Sequence, residues 1–173
     1  IGLDEKDNLE LINDLNFLKL NNLIFINEKK IKQIINSNDL VEKYSVFKKY
    51  PSTLYIKIDK TRFLAQFKKD GKFFFLGSNG KFIRSMNFKK DLPFIFGNFD
   101  KKSFFDLKKT MNYTNFKFDE IENLYFFKSG RWDIETISGV LIKLPKDNLN
   151  ESLKTTMDIL NKDYDQIIKK LDL

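Results

Sequence analysis

The chain has 173 residues, of which 42% are hydrophobic and 15% aromatic, so it holds enough apolar material for one well-cored domain or two small ones. Its 31 basic and 24 acidic residues give a formal net charge of +7, and it contains no histidine and no cysteine. These absences exclude disulfides, thiolate metal sites and nucleophile–base pairs built on either residue. Carboxylate pairs of the glycosidase type remain possible in principle, but nothing in the sequence marks one out. We therefore predict a protein that is not an enzyme, with no catalytic, cofactor-binding or metal-binding residues.

The positive charge alone is weak evidence for nucleic-acid binding. Only Arg62, Arg84 and Arg131 are arginines, and the lysines are interleaved with carboxylates along the chain. Nucleic-acid sites usually need arginine forks and a concentrated basic face. A basic nucleic-acid-binding domain stays open as an alternative, and its binding would weaken steeply as salt rises.

Two amphipathic helices are predicted at the start of the chain. Asp4 can cap the first helix and Asn27 the second, because their side chains can accept hydrogen bonds from free backbone N–H groups. Apolar residues at helical spacing should face the core: Leu9, Ile12 and Leu15 with Leu11 in the first helix, and Ile31, Ile34 and Ile35 in the second.

The next segment, residues 41–58, is predicted to be a hairpin of two strands. Its alternating pattern should turn Tyr44 and Val46, then Leu54, Ile56 and Ile58, toward a core, and Thr53, Tyr55 and Lys57 outward. Pro51 suits the corner between the strands, because proline lacks the N–H that a ladder needs.

From Thr61 onward the pattern predicts strands joined by tight turns. Turns are expected at Asp70-Gly71, at Asn79-Gly80 as a type I′ turn, and at Ser138-Gly139. Strands are expected at 63–67, 73–76, 94–96, 116–127, 131–137 and 140–144. One helix is expected after Asp100, with Phe104, Leu107 and Met111 facing the core, and another after Asp147 or Asn148. The tail, residues 164–173, fits either a helix or a strand. Trp132 is expected to be a buried anchor of the core rather than a residue of a partner interface.

Several segments, taken in chain order, resemble a known pattern. They are VEKYSVFKKYPSTLYIKI at 41–58, GSNGKFI at 77–83, Leu92-Pro93 with Gly97, and RWDI at 131–134 with Ser138-Gly139 and Leu144-Pro145. In this order they resemble the extracytoplasmic part of the FtsQ/DivIB bacterial cell-division family. IKKLDL at 168–173 resembles the start of that family's VDLR strand, although the chain stops before the arginine.

The resemblance implies an α+β fold with two domains. Residues 1–60 would form a POTRA domain of order β-α-α-β-β with its first strand truncated, and residues 61–173 a β-rich mixed α+β domain with a truncated last strand. The whole protein would be a single-pass protein of the inner membrane, with one membrane helix upstream of Ile1 and this part in the periplasm at the division septum.

The resemblance also implies a function in assembly. The protein would be a divisome scaffold that recruits FtsB-type and FtsL-type partners, with capture by β-augmentation at the C-terminal edge. The partner-binding residues would be Lys48, Lys49 and Tyr50 at the hairpin corner, and Ile168, Lys170 and Asp172 at that edge. A POTRA-containing module of another envelope assembly system is the alternative.

Overall fold

A computed structural model describes residues 2–20, 26–160 and 170–172 of the protein. The elements in chain order are α1 (Glu5–Asp14), a 3-10 turn (Asn16–Leu20), α2 (Glu28–Ser37), β1 (Val41–Lys49), β2 (Thr53–Lys60), β3 (Phe63–Lys69), β4 (Lys72–Gly77), β5 (Phe82–Ser85), β6 (Phe94–Phe96), α3 (Lys101–Tyr113), a 3-10 turn (Phe118–Glu120), β7 (Ile121–Phe126), β8 (Trp132–Thr136), β9 (Leu141–Leu144), α4 (Leu149–Leu160) and β10 (Lys170–Asp172). This mixture confirms the predicted α+β class.

The chain forms two compact units. The first comprises Ile1–Phe63 with Leu76–Ile83, and the second comprises Leu64–Phe75 with Arg84–Leu173. The three described residues ahead of α1, residues 2–4, lie outside any strand, so the β-α-α-β-β order stays a prediction. Among the described helices, none combines the length and apolarity needed to cross a membrane.

The two N-terminal helices are capped as predicted. The Asp4 carboxylate accepts a hydrogen bond from the Asp7 N–H at 3.1 Å, and the Asn27 side chain accepts one from the Lys30 N–H at 3.2 Å. Each cap satisfies a backbone donor that the helix itself leaves unpaired. The sequence thus specifies where both helices begin.

The core-facing stripe of α1 is narrower than predicted. Leu11 and Leu15 are buried, but Leu9 and Ile12 are 56% and 44% exposed. The core of the first unit is built by residues Leu11, Leu15, Ile31, Ile35 and Val41. The ten-residue helix α1 meets this core through Leu11 and through its C-cap residue Leu15, four positions later, while Leu9 and Ile12 stay in solvent.

The hairpin of β1 and β2 has the predicted faces. Its strands are antiparallel, with Lys49 opposite Thr53 and Tyr44 opposite Ile58, so Pro51 lies in the turn. Exposure alternates along both strands, with the predicted inward residues half-buried and Thr53, Tyr55 and Lys57 exposed. The period of two therefore predicted this element correctly.

The turn between β4 and β5 is not type I′. A type I′ turn needs positive φ at both central residues, whereas Gly80 has φ 72° and Asn79 is not in the left-handed region. Instead, the Gly77 N–H donates to the Lys81 carbonyl at 2.9 Å around the three-residue loop 78–80, and within this loop the Gly80 N–H donates to the Gly77 carbonyl at 2.9 Å. The Asn79 amide donates to the carbonyls of Asp39 and Val41 at 2.9 and 3.0 Å.

Eight described strands form a mixed sheet in the order β10-β9-β8-β7-β6-β3-β4-β5, of which β6 to β10 lie wholly in the second unit. On one face, four residues lie in register on neighbouring strands and are at most 2% exposed: Ile95, Leu124, Ile134 and Ile142. Helix α3 buries Phe104, Leu107 and Met111 and is capped by Asp100, as predicted.

Trp132 is 3% exposed and its indole N–H donates to the Ser103 hydroxyl at 2.9 Å, so the core-anchor prediction is confirmed.

Strand β7 begins later than the pattern predicted. The predicted strand over 116–127 includes the 3-10 turn Phe118–Glu120, and regular pairing starts at Ile121. Asn115 has φ 57°, and the Phe116 N–H donates to the Met111 carbonyl at 2.9 Å, which closes the end of α3. Phe116 is therefore a buried helix-end contact, even though its apolar neighbours suggest a strand.

Candidate partner-docking site

The C-terminal strand β10 stands at the end of the strand order. It pairs with β9 in parallel, with Lys170 opposite Leu141 and Asp172 opposite Lys143. Residues 170–172 are thus a strand, which settles the helix-or-strand alternative for this stretch only. Ile168, the third residue predicted at this edge, lies outside the described residues.

Strand β9 gives this edge a buried support. Its Ile142 and Leu144 are 0% exposed, and it is antiparallel to β8 on the side opposite β10. Helix α4 contacts β9, and α4 itself is anchored by the fully buried Leu153 and Thr156. An edge strand on such a base presents backbone N–H and C=O groups that another strand can pair with.

The other face of this sheet carries a polar and aromatic cluster. The Tyr125 hydroxyl donates to the Glu135 carboxylate at 2.6 Å, and the Asn123 amide donates to the same oxygen at 3.0 Å. The Tyr125 ring stacks on Phe96 with centroids 5.0 Å apart and an interplanar angle of 11°. Our sequence reasoning missed this cluster, and its only local signal is the i, i+2 spacing of Asn123 and Tyr125 on one strand.

The bond to Glu135 changes the acidity of Tyr125. The Glu135 carboxylate as a hydrogen-bond acceptor, then burial, then its negative charge, raise the pKa of Tyr125 to about 12. Because this folded pKa lies above the unfolded one, the associated stability is present below pH 10 and is lost as pH rises toward 12.

We expect the Glu135→Gln variant to shift the pKa of Tyr125 back toward 10, since it removes the carboxylate that accepts the tyrosine hydrogen bond and whose negative charge opposes deprotonation. An NMR titration that follows the signals of each tyrosine ring separately measures the pKa of Tyr125. Glu122→Gln is the matched control, because Glu122 is the smallest contributor to the shift and should change it little. Equal pKa values in the wild type and Glu135→Gln would contradict the assigned cause.

The hairpin corner does not present its three predicted residues on one surface. Successive strand residues point to opposite faces. Lys48 lies on the inner face, where its ammonium is 2.7 Å from the Glu28 carboxylate, and this pair raises the pKa of Lys48 and lowers that of Glu28. Lys49 is exposed, and Tyr50 is 67% exposed. Lys49 and Tyr50 thus remain available to a partner, while Lys48 is engaged with α2.

The predicted partner-binding residues fall into two sets. Lys48, Lys49 and Tyr50 belong to the first unit, and Lys170 and Asp172 belong to the second.

Within the described ranges, no three His, Cys, Asp or Glu side chains lie close enough to hold a metal ion. The buried Asp133 is engaged by Arg131, whose Nε is 2.9 Å from Oδ1 and whose Nη2 donates to Oδ2 at 3.2 Å.

Comparison with known proteins gives the class. Residues 65–173, more than half of the chain, match the family model "Cell division protein FtsQ/DivIB, C-terminal". The chain is 26% identical over 180 residues to "Cell division protein FtsQ" of Rickettsia bellii (strain RML369-C), and the alignment covers 99% of this chain but only 66% of that protein. These matches identify a cell-division protein.

Within that class, the chain belongs to the FtsQ/DivIB family, which confirms the resemblance seen in its motifs. A solved structure is also similar: the major extracytoplasmic domain of the trans isomer of the bacterial cell division protein DivIB from Geobacillus stearothermophilus. It is 14% identical, with a TM-score of 0.37, and the match covers 61% of this chain and 98% of that one.

Proposed function

We propose that this chain is the docking part of a non-enzymatic cell-division scaffold, and that it recruits FtsB-type and FtsL-type partners by β-augmentation along β10. Membership of the FtsQ/DivIB family supports a scaffold role in division. The observation that carries the site is the position of β10, a terminal strand paired on one side with the buried strand β9.

A partner strand would add to the outer side of β10. Each new backbone hydrogen bond would contribute a net of about 1 kcal/mol, so affinity would come from several bonds together. Side chains that alternate along the added strand would give specificity, as in other strand-addition complexes. Such a site needs no catalytic group, which fits a chain without histidine and cysteine.

We further infer the setting of this site from the family. Residues 1–60 would be a POTRA domain and residues 61–173 the β domain, both on the periplasmic side at the septum. One membrane helix upstream of Ile1 would anchor the whole protein in the inner membrane. Lys49 and Tyr50, exposed at the hairpin corner, would contribute a second contact.

Calorimetry of the chain with the soluble FtsB–FtsL-type heterodimer of the same organism tests this function. Lys170 and Asp172 are replaced by proline in one variant and by alanine in its matched control. Proline removes backbone donors, whereas alanine removes only side chains, so we expect proline to weaken binding at least about tenfold more than alanine. A folded proline variant that binds like the wild type would overturn the site.

A further inference from the structure

The outer face of the β1–β2 hairpin carries exposed aromatic rings. Phe47 and Tyr55 are directly opposite each other in the pairing, and they are 57% and 53% exposed. Tyr50, 67% exposed, lies in the adjoining turn. The inner face of the same hairpin packs on the core of the first unit. An exposed cross-strand aromatic pair is therefore a feature of the outer face only.

The charges of the hairpin are sorted by face in the same way. On the inner face, Lys48 pairs with Glu28 at 2.7 Å, and Lys60 pairs with Asp4 and Asp7 at 2.8 and 3.2 Å. The exposed lysines of the outer face are Lys43, Lys49 and Lys57. Among the residues that the structure describes, these three form no ion pair.

The outer face thus has a surplus of positive charge. Asp59, which is opposite Lys43, is the one carboxylate of these two strands that lies on the outer face. Three ammonium groups around an aromatic pair are complementary to a negatively charged surface with an apolar layer beneath. The rings can enter the interfacial layer while the lysine stems extend and place their ammonium groups among phosphates.

We propose that this outer face, defined by Lys43, Phe47, Lys49, Tyr50, Tyr55 and Lys57, docks on anionic lipid headgroups. A stable protein interface needs about 800 Å² per partner with a well-packed centre, more than a few rings on a two-stranded sheet provide. Adsorption to an anionic bilayer, in contrast, grows lysine by lysine and needs no complementary pocket. The proposal does not depend on β10, and it shares only Lys49 and Tyr50 with the second partner contact proposed above.

Vesicle sedimentation with the full chain tests the proposal. The probes are vesicles of phosphatidylcholine alone and vesicles of equal parts phosphatidylcholine and phosphatidylglycerol. Each lysine should contribute about fivefold to partitioning, so the triple variant K43Q/K49Q/K57Q should bind the anionic vesicles about a hundredfold more weakly than the wild type. Replacing Phe47 and Tyr55 by serine in the wild type, with all three lysines kept, should lower binding as well. The remaining binding should still depend on phosphatidylglycerol.

A charge-matched control separates this face from the general charge of the protein. The variant K69Q/K102Q/K109Q removes three exposed lysines of the second unit and should bind like the wild type. Equal losses in the two triple variants, or a wild type that ignores phosphatidylglycerol, would overturn the proposal. Face-dependent binding to polyglutamate without binding to vesicles would also overturn it, and would assign the face to an acidic protein segment.

Discussion

The Gly97→Ala variant should lose about 4 kcal/mol or more of unfolding free energy. Gly97 has φ +95°, which side chains rarely adopt, and an added Cβ would lie 2.1 Å from the Phe126 carbonyl oxygen. Phe126 cannot move aside cheaply, because it pairs with Trp132 in the ladder between β7 and β8. A typical domain has a total stability of about 5–15 kcal/mol, so such a loss would remove a large part of the stability of the second unit.

Urea unfolding followed by the fluorescence of Trp132, the single tryptophan, measures this loss. Gly71→Ala and Gly139→Ala are matched controls, because their φ values of +75° and +83° are similar but nothing lies within 4 Å of an added Cβ. They should cost only about 1 kcal/mol, from backbone strain alone. Equal losses in all three variants would show that the close approach to β7 is unimportant.

Trp132→Ala should destabilise the second unit by about 3–5 kcal/mol, the range for removing a buried aromatic side chain. The indole lies 4.7 Å from Phe126, 6.2 Å from Phe99 and 6.5 Å from Phe104, measured between ring centroids. Removing it would open a cavity bordered by three phenylalanines. Thermal unfolding followed by circular dichroism measures the effect, since this variant has no tryptophan to report by fluorescence.

Ser103→Ala is the control that separates packing from hydrogen bonding at Trp132. It removes the hydroxyl that accepts from the indole N–H at 2.9 Å, and should cost about 1–3 kcal/mol through the unpaired donor. Trp132→Phe should lie between the two variants, because it keeps a ring but loses volume. A Trp132→Ala variant no less stable than Ser103→Ala would contradict the core-anchor role.

The features that could be predicted from sequence are those set by neighbouring residues. Asp4, Asn27 and Asp100 each cap a helix through a backbone N–H three residues later, so the cap is written in the local sequence. The two faces of the β1–β2 hairpin likewise follow from alternation within each strand. The order of motifs also predicted the family correctly.

The features that could not be predicted depend on distant parts of the chain. Leu9 and Ile12 match a helical stripe, but the position of the core leaves them exposed. The bonds of Glu135 to Asn123 and Tyr125 require the register of β7 against β8, which no local pattern supplies. For the docking site, the pattern left residues 170–172 open between helix and strand until the pairing with β9 was known.

Hydrogen–deuterium exchange of the chain, alone and saturated with its FtsB-type partner, tests the central claim most directly. Strand addition would give the outward N–H groups of β10 new acceptors and hold β10 on β9. We therefore predict slower exchange at Lys170–Asp172 and across Leu141–Leu144, with any change in Val41–Lys60 confined to the corner at Lys49 and Tyr50. A saturated complex whose only slowed amides lie in the β1–β2 hairpin, with β10 unchanged, would contradict the claim.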